Sequence, residues 1–361
     1  MRARDKAAVG LLLASAIGAA GCATCGIAPL KGDDPFSRTV NSVAGTADDA
    51  VKRLTDAVDK ITPQDERALG QASSFKVISE NGGLLLDATL VEYVNEVGNA
   101  VAENGGGKRN SGEKKPPRTK ARRFFFGVLN DDSMNAYSLP GGYIFVTRGL
   151  VQSLSSESEL AWVLGHEIVH VDEEHNLTAL KAVIAGKAFA HEAGGITRNL
   201  LDPAHAKAGD SAQGDLQSEE IFGKLAGKVS EIALTIGLNK DQESTADRMG
   251  LDYSTKAGYD AKGAERVLQL LAANPTRSHS FLSQHDTPEQ RLAALAQQIA
   301  EKTAKNPGKV GDQRFEDRGF RGIQMAVAQA AAQKAAGTDP KSNDPKPATD
   351  GQSSNGTTGT P

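Results

Sequence analysis

From residue 48 onward the apolar positions fall into runs with recognisable periods. Val51, Leu54, Val58 and Ile61 recur at helical spacing until Thr62-Pro63 breaks the run. A second helix is expected over residues 65–77. A third begins at Asp87, carries Leu90, Val91, Val94, Val97 and Val101 on one broad face, and stops at Gly105-Gly106-Gly107. Two β-type runs follow, Phe124-Phe125-Phe126-Gly127-Val128-Leu129 and Ile144-Phe145-Val146-Thr147. Between them lie Asn135, Ala136, Tyr137, Ser138 and Leu139 and a Pro140-Gly141-Gly142 turn. After Gly149 the spacing is helical almost to the end, with a last helix expected over 320–336. Residues 337–361 are Gly, Ser, Thr, Asn, Pro and Asp for the most part, too polar to bury a core. No period of 20–50 residues recurs, which argues against a helical-repeat platform.

The start of the chain has a different character. Arg2, Arg4 and Lys6 precede a short apolar stretch over 7–20, the pattern of a secretory signal and too short to span a bilayer comfortably. It runs into Ala19-Ala20-Gly21-Cys22, which resembles the lipobox of bacterial lipoproteins, with Cys22 as the lipidated residue. The bland alternative is plain signal cleavage and a soluble secreted protein. The expected organisation is a signal peptide at 1–21, a tether at 22–45, one catalytic domain at 46–305 and a low-complexity tail at 306–361. Composition fits this plan. Of 361 residues, 39% are apolar and 24% charged, enough for an ordinary core, whereas 38 Gly and 14 Pro leave room for linkers. A net charge of −4 gives no support for nucleic acid as a partner. The two cysteines, Cys22 and Cys25, both precede the domain, so its fold has no disulfide and no thiolate metal site. Residues 108–123 hold eight basic residues against Glu113 alone, either a solvated loop or a contact for anionic lipid.

The chemistry sits in His166-Glu167-Ile168-Val169-His170. Residues four apart share a helix face, so both imidazoles can reach one metal ion, and Glu167 lies about 100° round, within reach of a water on that metal. Ser156 with Glu159 three residues on predicts a capping box at the start of this helix, near 157–175. A third histidine six residues past His170 is lacking, because Asn176 stands there and His175 falls one short. A carboxylate on a later helix, near 241–257, is the remaining candidate. Glu243 can complete a His₂Glu zinc set with one position left for water. Asp247, on the same face, can accept the free N–H of a ligating imidazole.

The runs 135–142 and 146–150, then 157–175, 243–247 and 285–291, occur together in the order and spacing of the HtpX/CaaX-prenyl-endopeptidase family of gluzincin zinc metallopeptidases, which residues 65–300 resemble. The likeness is nearest to soluble periplasmic lipoprotein members involved in outer-membrane protein quality control. The resemblance implies a mainly α fold with a small β-sheet, the active-site helix packed beside that sheet. It also implies one Zn2+ per chain held by His166, His170 and Glu243, with Glu167 as catalytic base and His285 and Arg291 as a helper pair. One departure is that the family's His-Pro reads His285-Asp286-Thr287-Pro288 here.

The expected function is zinc-dependent hydrolysis of peptide bonds in unfolded or misassembled envelope polypeptides, on the periplasmic side of a bacterial envelope. Asn135, Ala136, Tyr137, Ser138 and Leu139 would form an edge strand that takes the substrate as an added strand. Residues 181–218 would form a cover over the zinc or a long surface connection. Two rivals have other functions: a tethered chaperone that binds extended chains without cutting them, and a structural lipoprotein with a bystander zinc. Glu167 speaks against the first. The second would normally need four protein ligands.

Overall fold

The computed structural model describes residues 58–105, 124–185, 225–275, 287–305 and 320–335, together with Asp56 and Gly223. Cys22, expected to be lipidated, the expected tether at 22–45, the basic segment 108–123, His285 and residues 186–218 of the expected cover lie outside the described residues.

The chain enters through α1 (Pro63–Glu80), started by a reciprocal capping box in which Thr62 and Asp65 satisfy each other's backbone N–H groups. Helix α2 (Ala88–Asn104) is capped by Asp87 and buries the expected Leu90–Val94–Val97–Val101 stripe. A three-stranded mixed sheet follows, built from β1 (Phe125–Leu129), β2 (Ala136–Leu139) and β3 (Tyr143–Thr147) in the order β1-β3-β2. β1 runs parallel to β3, and β2 is antiparallel to β3 with Ser138 opposite Ile144. β2 is therefore an edge strand, as expected from the sequence.

Helix α3 (Arg148–Ser153) leads into α4 (Glu157–Asp172), whose side chains are almost all buried. The capping box expected at Ser156 is only half formed. Ser156 accepts from Glu159 N–H, but the Glu159 carboxylate turns to the Ser155 N–H at 2.7 Å and to Arg266 at 2.8 Å. The pairing with Arg266, whose side chain is half-buried, outcompetes the local reciprocal bond. Helix α4 also ends sooner than the spacing suggests: it stops at Asp172, Glu174 turns with φ 57°, and a new helix, α5 (His175–Ala185), begins.

A helical stretch over 225–231 and a π-helical turn (Ile232–Ile236) return the chain towards β2. Then come α6 (Lys240–Lys256), α7 (Lys262–Ala273), α8 (Pro288–Lys305) and α9 (Phe320–Ala335). The main core gathers α2, one sheet face, α4, α6, α7 and α8 around Trp162, Leu164 and Ile168. Ile323 and Val327 of α9 belong to the same core, so this helix packs on the domain beyond the expected limit at 305. A second cluster joins α1, the other sheet face, α5 and residues 225–232. Among the described residues no helix is long and apolar enough to cross a membrane.

Candidate metal centre

The site is made where α4 crosses α6, and two glycines set the crossing. A Cβ on Gly165 would stand 2.8 Å from the Gly250 carbonyl oxygen, and one on Gly250 would stand 2.7 Å from the His166 nitrogen. Backbone meets backbone here, so any side chain would push the helices apart. That closeness places His166 and His170 of α4 directly against Glu243 and Asp247 of α6.

Three donor side chains converge. His166 Nε2 lies 2.9 Å from His170 Nε2 and 3.2 Å from Glu243 Oε2, and His170 Nε2 lies 3.3 Å from Glu243 Oε1. Atoms bound at about 2.0–2.2 Å to one tetrahedral ion sit roughly 3.3 Å apart. The donor set and its spacing therefore fit a divalent metal, and among the described residues this is the group of three that could hold one. All three side chains are buried.

Each donor is held from behind. His166 Nδ1 is 3.0 Å from Asp247 Oδ1, and Asp247 in turn takes a two-pronged pair from Arg291, Nη2 to Oδ1 at 2.6 Å and Nε to Oδ2 at 2.8 Å. Arg291 comes from the first turn of α8. His170 Nδ1 meets His175 Nδ1 at 2.8 Å. Glu243 lies in the first turn of α6, started by a capping box between Asn239 and Gln242.

The electrostatics follow from burial and from these contacts. Burial disfavours a charged His166, but the hydrogen bonds that it donates to Asp247 and Glu243 overcome it and push its pKa up to about 10. Burial instead drives His170 well below the ordinary imidazole value. Burial works against charge on Asp247 too, yet Arg291 outweighs it and brings the carboxyl down to about 2. Glu243 is likewise held ionised against burial, by His170 and His166. Glu167 is raised by burial, against the opposing pull of His166.

Glu167 lines one cleft with His170, Glu243, Asn176 and the four residues 135–138, and Ile232, Ala233, Gly237 and Leu238 form the opposite wall. The Ser138 side chain hydrogen-bonds the Glu167 carboxylate. Within β2 the pairs alternate: Thr147 N–H donates to Asn135 O, so Tyr137 and Leu139 also face β3 while Ala136 and Ser138 point their backbone groups outwards. Asn176 Nδ2 donates to the outward Ser138 carbonyl at 3.0 Å, and Asn135 Oδ1 accepts from the Ala136 N–H at 2.9 Å.

The structure thus brings together His166, Glu167, His170, Glu243, Asp247, Arg291 and the strand residues Asn135, Ala136, Tyr137 and Ser138; Leu139 is buried at the far end of β2. The sequence reading passed over Gly165 and Gly250, because a glycine inside a helix gives no sign of which partner it approaches. It also passed over Asn176 and Gln242, whose Nε2 donates to the His175 carbonyl at 3.3 Å.

Comparison with known proteins agrees with this geometry. A family model described as peptidase family M48 matches residues 109–299, just over half of the chain. A beta-barrel assembly-enhancing protease of Yersinia pestis is 28% identical over 215 residues, covering 58% of this chain and 39% of that protein. The mitochondrial metalloendopeptidase OMA1 of Arabidopsis thaliana is 28% identical over 171 residues, covering 47% of this chain and 30% of its own. Metalloprotease YcaL of Escherichia coli is 25% identical over 179 residues, or 48% of this chain and 62% of its own. The chain spans about two fifths of the length of the assembly-enhancing proteases that it matches.

Proposed function

The chain belongs to peptidase family M48 and is a metalloprotease, and from that premise we propose that it is a zinc endopeptidase acting on extended segments of unfolded or misassembled envelope proteins. The observation that carries the reading is the convergence of His166 Nε2 and His170 Nε2, 2.9 Å apart, on the Glu243 carboxylate, whose two oxygens lie 3.2 and 3.3 Å from them, beside a cleft that Glu167 lines. When bound there, zinc supplies Lewis acidity towards water and towards a carbonyl oxygen.

The chain's own residues do the rest. Glu167, outside the donor trio and in no ion pair among the described residues, takes the proton of the attacking water and returns it to the leaving amine. Its burial, which raises its pKa, suits a group that must both accept and release a proton. Asp247 and Arg291 fix the orientation of His166, and the positive charge of Arg291 lies behind the ligand cluster rather than open to the cleft. His285, outside the described residues, keeps the helper role that the family resemblance implies.

With the Ala136 N–H bonded by Asn135 and the Ser138 carbonyl by Asn176, the Ala136 carbonyl and the Ser138 N–H offer one rung of strand pairing, so a substrate must present backbone, which folded proteins keep to themselves. The same rung selects against compact partners. A signal peptide at 1–21 and lipidation at Cys22 would hold the enzyme on the periplasmic face of a membrane, with substrates of the kind that the name of the Yersinia relative suggests, polypeptides in β-barrel assembly. A chaperone that binds without cutting would have no use for Glu167 at this position.

The test compares hydrolysis of casein, which is unfolded, with that of a tightly folded protein of similar size, each with and without a zinc chelator. Chelator-sensitive cleavage confined to casein supports the reading. Equal cleavage of both would remove the strand-pairing account, and cleavage that survives chelation would remove the metal.

A further inference from the structure

His170 turns one ring nitrogen to the ligand cluster and the other to a residue outside the H-E-x-x-H motif. Its Nδ1 lies 2.8 Å from His175 Nδ1, and both rings are buried. Helical periodicity does not create this contact, because five residues along an unbroken α-helix end about 140° away from the starting face. The break does. Helix α4 stops at Asp172, and Glu174 takes φ 57°, the one non-glycine residue with positive φ among the described residues. An L side chain avoids this conformation unless its surroundings impose it. The outcome here is that His175, opening α5, faces back onto His170.

We propose that His175 is a positioning residue for the metal centre, setting the tautomer and the ring plane of His170. This rests on His170 being a zinc ligand through Nε2. Ligation needs the lone pair on that nitrogen, so the neutral ring carries its proton on Nδ1. His170 Nδ1–H then donates to His175 Nδ1, which accepts with its own proton on Nε2. An imidazole ligand is ordinarily steered in this way by a carboxylate or a carbonyl; at His166 that part falls to Asp247, and at His170 to a second histidine.

His175 is itself held on two sides. Its carbonyl accepts from Gln242, the neighbour of Glu243 on α6, and the next residue, Asn176, donates to Ser138 O in β2. The pair therefore clips together the helix of the two histidines, the helix of the acidic ligand and the substrate strand.

The test uses the full chain with His175→Asn and His175→Gln. An asparagine oxygen can stand where Nδ1 stood, whereas a glutamine amide reaches towards the place of Nε2, and both variants keep a polar, buried side chain. Zinc affinity is read by competition with a chromogenic chelator, and the visible absorption of the cobalt-loaded protein reports ligand geometry. His175→Gln should bind zinc about 10–100-fold more weakly and alter the cobalt bands, while His175→Asn stays close to wild type in both. Wild-type affinity in His175→Gln, or equal loss in the two variants, would overturn the proposal in favour of simple packing. A wild-type chain that bound no zinc would overturn the assignment of His170, and this inference with it.

Discussion

Each nitrogen of the His166 ring faces its own carboxylate, Nε2 that of Glu243 and Nδ1 that of Asp247. Without metal they hold the ring charged up to a pKa of about 10, so at neutral pH zinc must displace a proton to bind. Titration calorimetry in buffers of different ionisation enthalpy should therefore find close to one proton released per zinc, and affinity that weakens as the pH falls. Proton release near zero would contradict this. Asp247 stands between His166 and Arg291, and Asp247→Asn should weaken zinc binding about 10–100-fold. It should also destabilise the metal-free protein by about 3–5 kcal/mol, because a buried guanidinium loses its partner, an effect read by chemical denaturation. The sign of the acid response follows from the lowered pKa. A carboxyl moved from 3.8 to about 2 contributes about 2 kcal/mol above pH 3.8, and that contribution is lost as the pH falls towards 2. At this scale the sequence was most legible where spacing alone places the group: His166 with His170, and Glu243 with Asp247, are each four apart on a helix. Spacing reads His175 only as a residue that packs or hydrogen-bonds near the site; its contact with His170 depends on a left-handed turn at Glu174 that a run of polar residues does not announce.

The relation between elements was harder to read than the elements themselves. The apolar stripe of α2, both β-type runs and the edge position of β2 follow from period and flanking turns, and the structure has them. That β1 runs parallel to β3 does not follow, because it depends on a return path through residues outside any periodic run. The crossing of α4 over α6 depends on two glycines that meet only in three dimensions. Gly250→Ala would drive a Cβ to 2.7 Å from the His166 nitrogen. It should cost about 1–3 kcal/mol of stability and lower zinc affinity, because the ligands of the two helices part together. Gly258, which has open space around it, provides no such contact; a thermal melt and a zinc titration on Gly250→Ala check the prediction. Unchanged melting and unchanged affinity would mean that the crossing has slack that the structure does not show.

For the whole molecule, the core closes only with α9, which contributes Ile323 and Val327 and sends Gln324 Nε2 to the Leu154 carbonyl at 2.6 Å, satisfying the end of α3. Ending the chain at residue 305 should expose that part of the core and lower the melting temperature, although the sequence reads 306–361 as a low-complexity tail with a helix over 320–336 outside the domain. The reason for the difference is composition: a helix rich in Ala and Gln has few large apolar residues, and two well-placed ones suffice. All else depends on whether this cleft cuts peptide bonds with Glu167 as the base. The most direct measurement is the rate of casein hydrolysis by Glu167→Gln against wild type, with bound zinc quantified in both. A loss of about 10²–10⁴-fold at equal zinc content is the expected result, and full activity in the zinc-loaded variant would contradict the account.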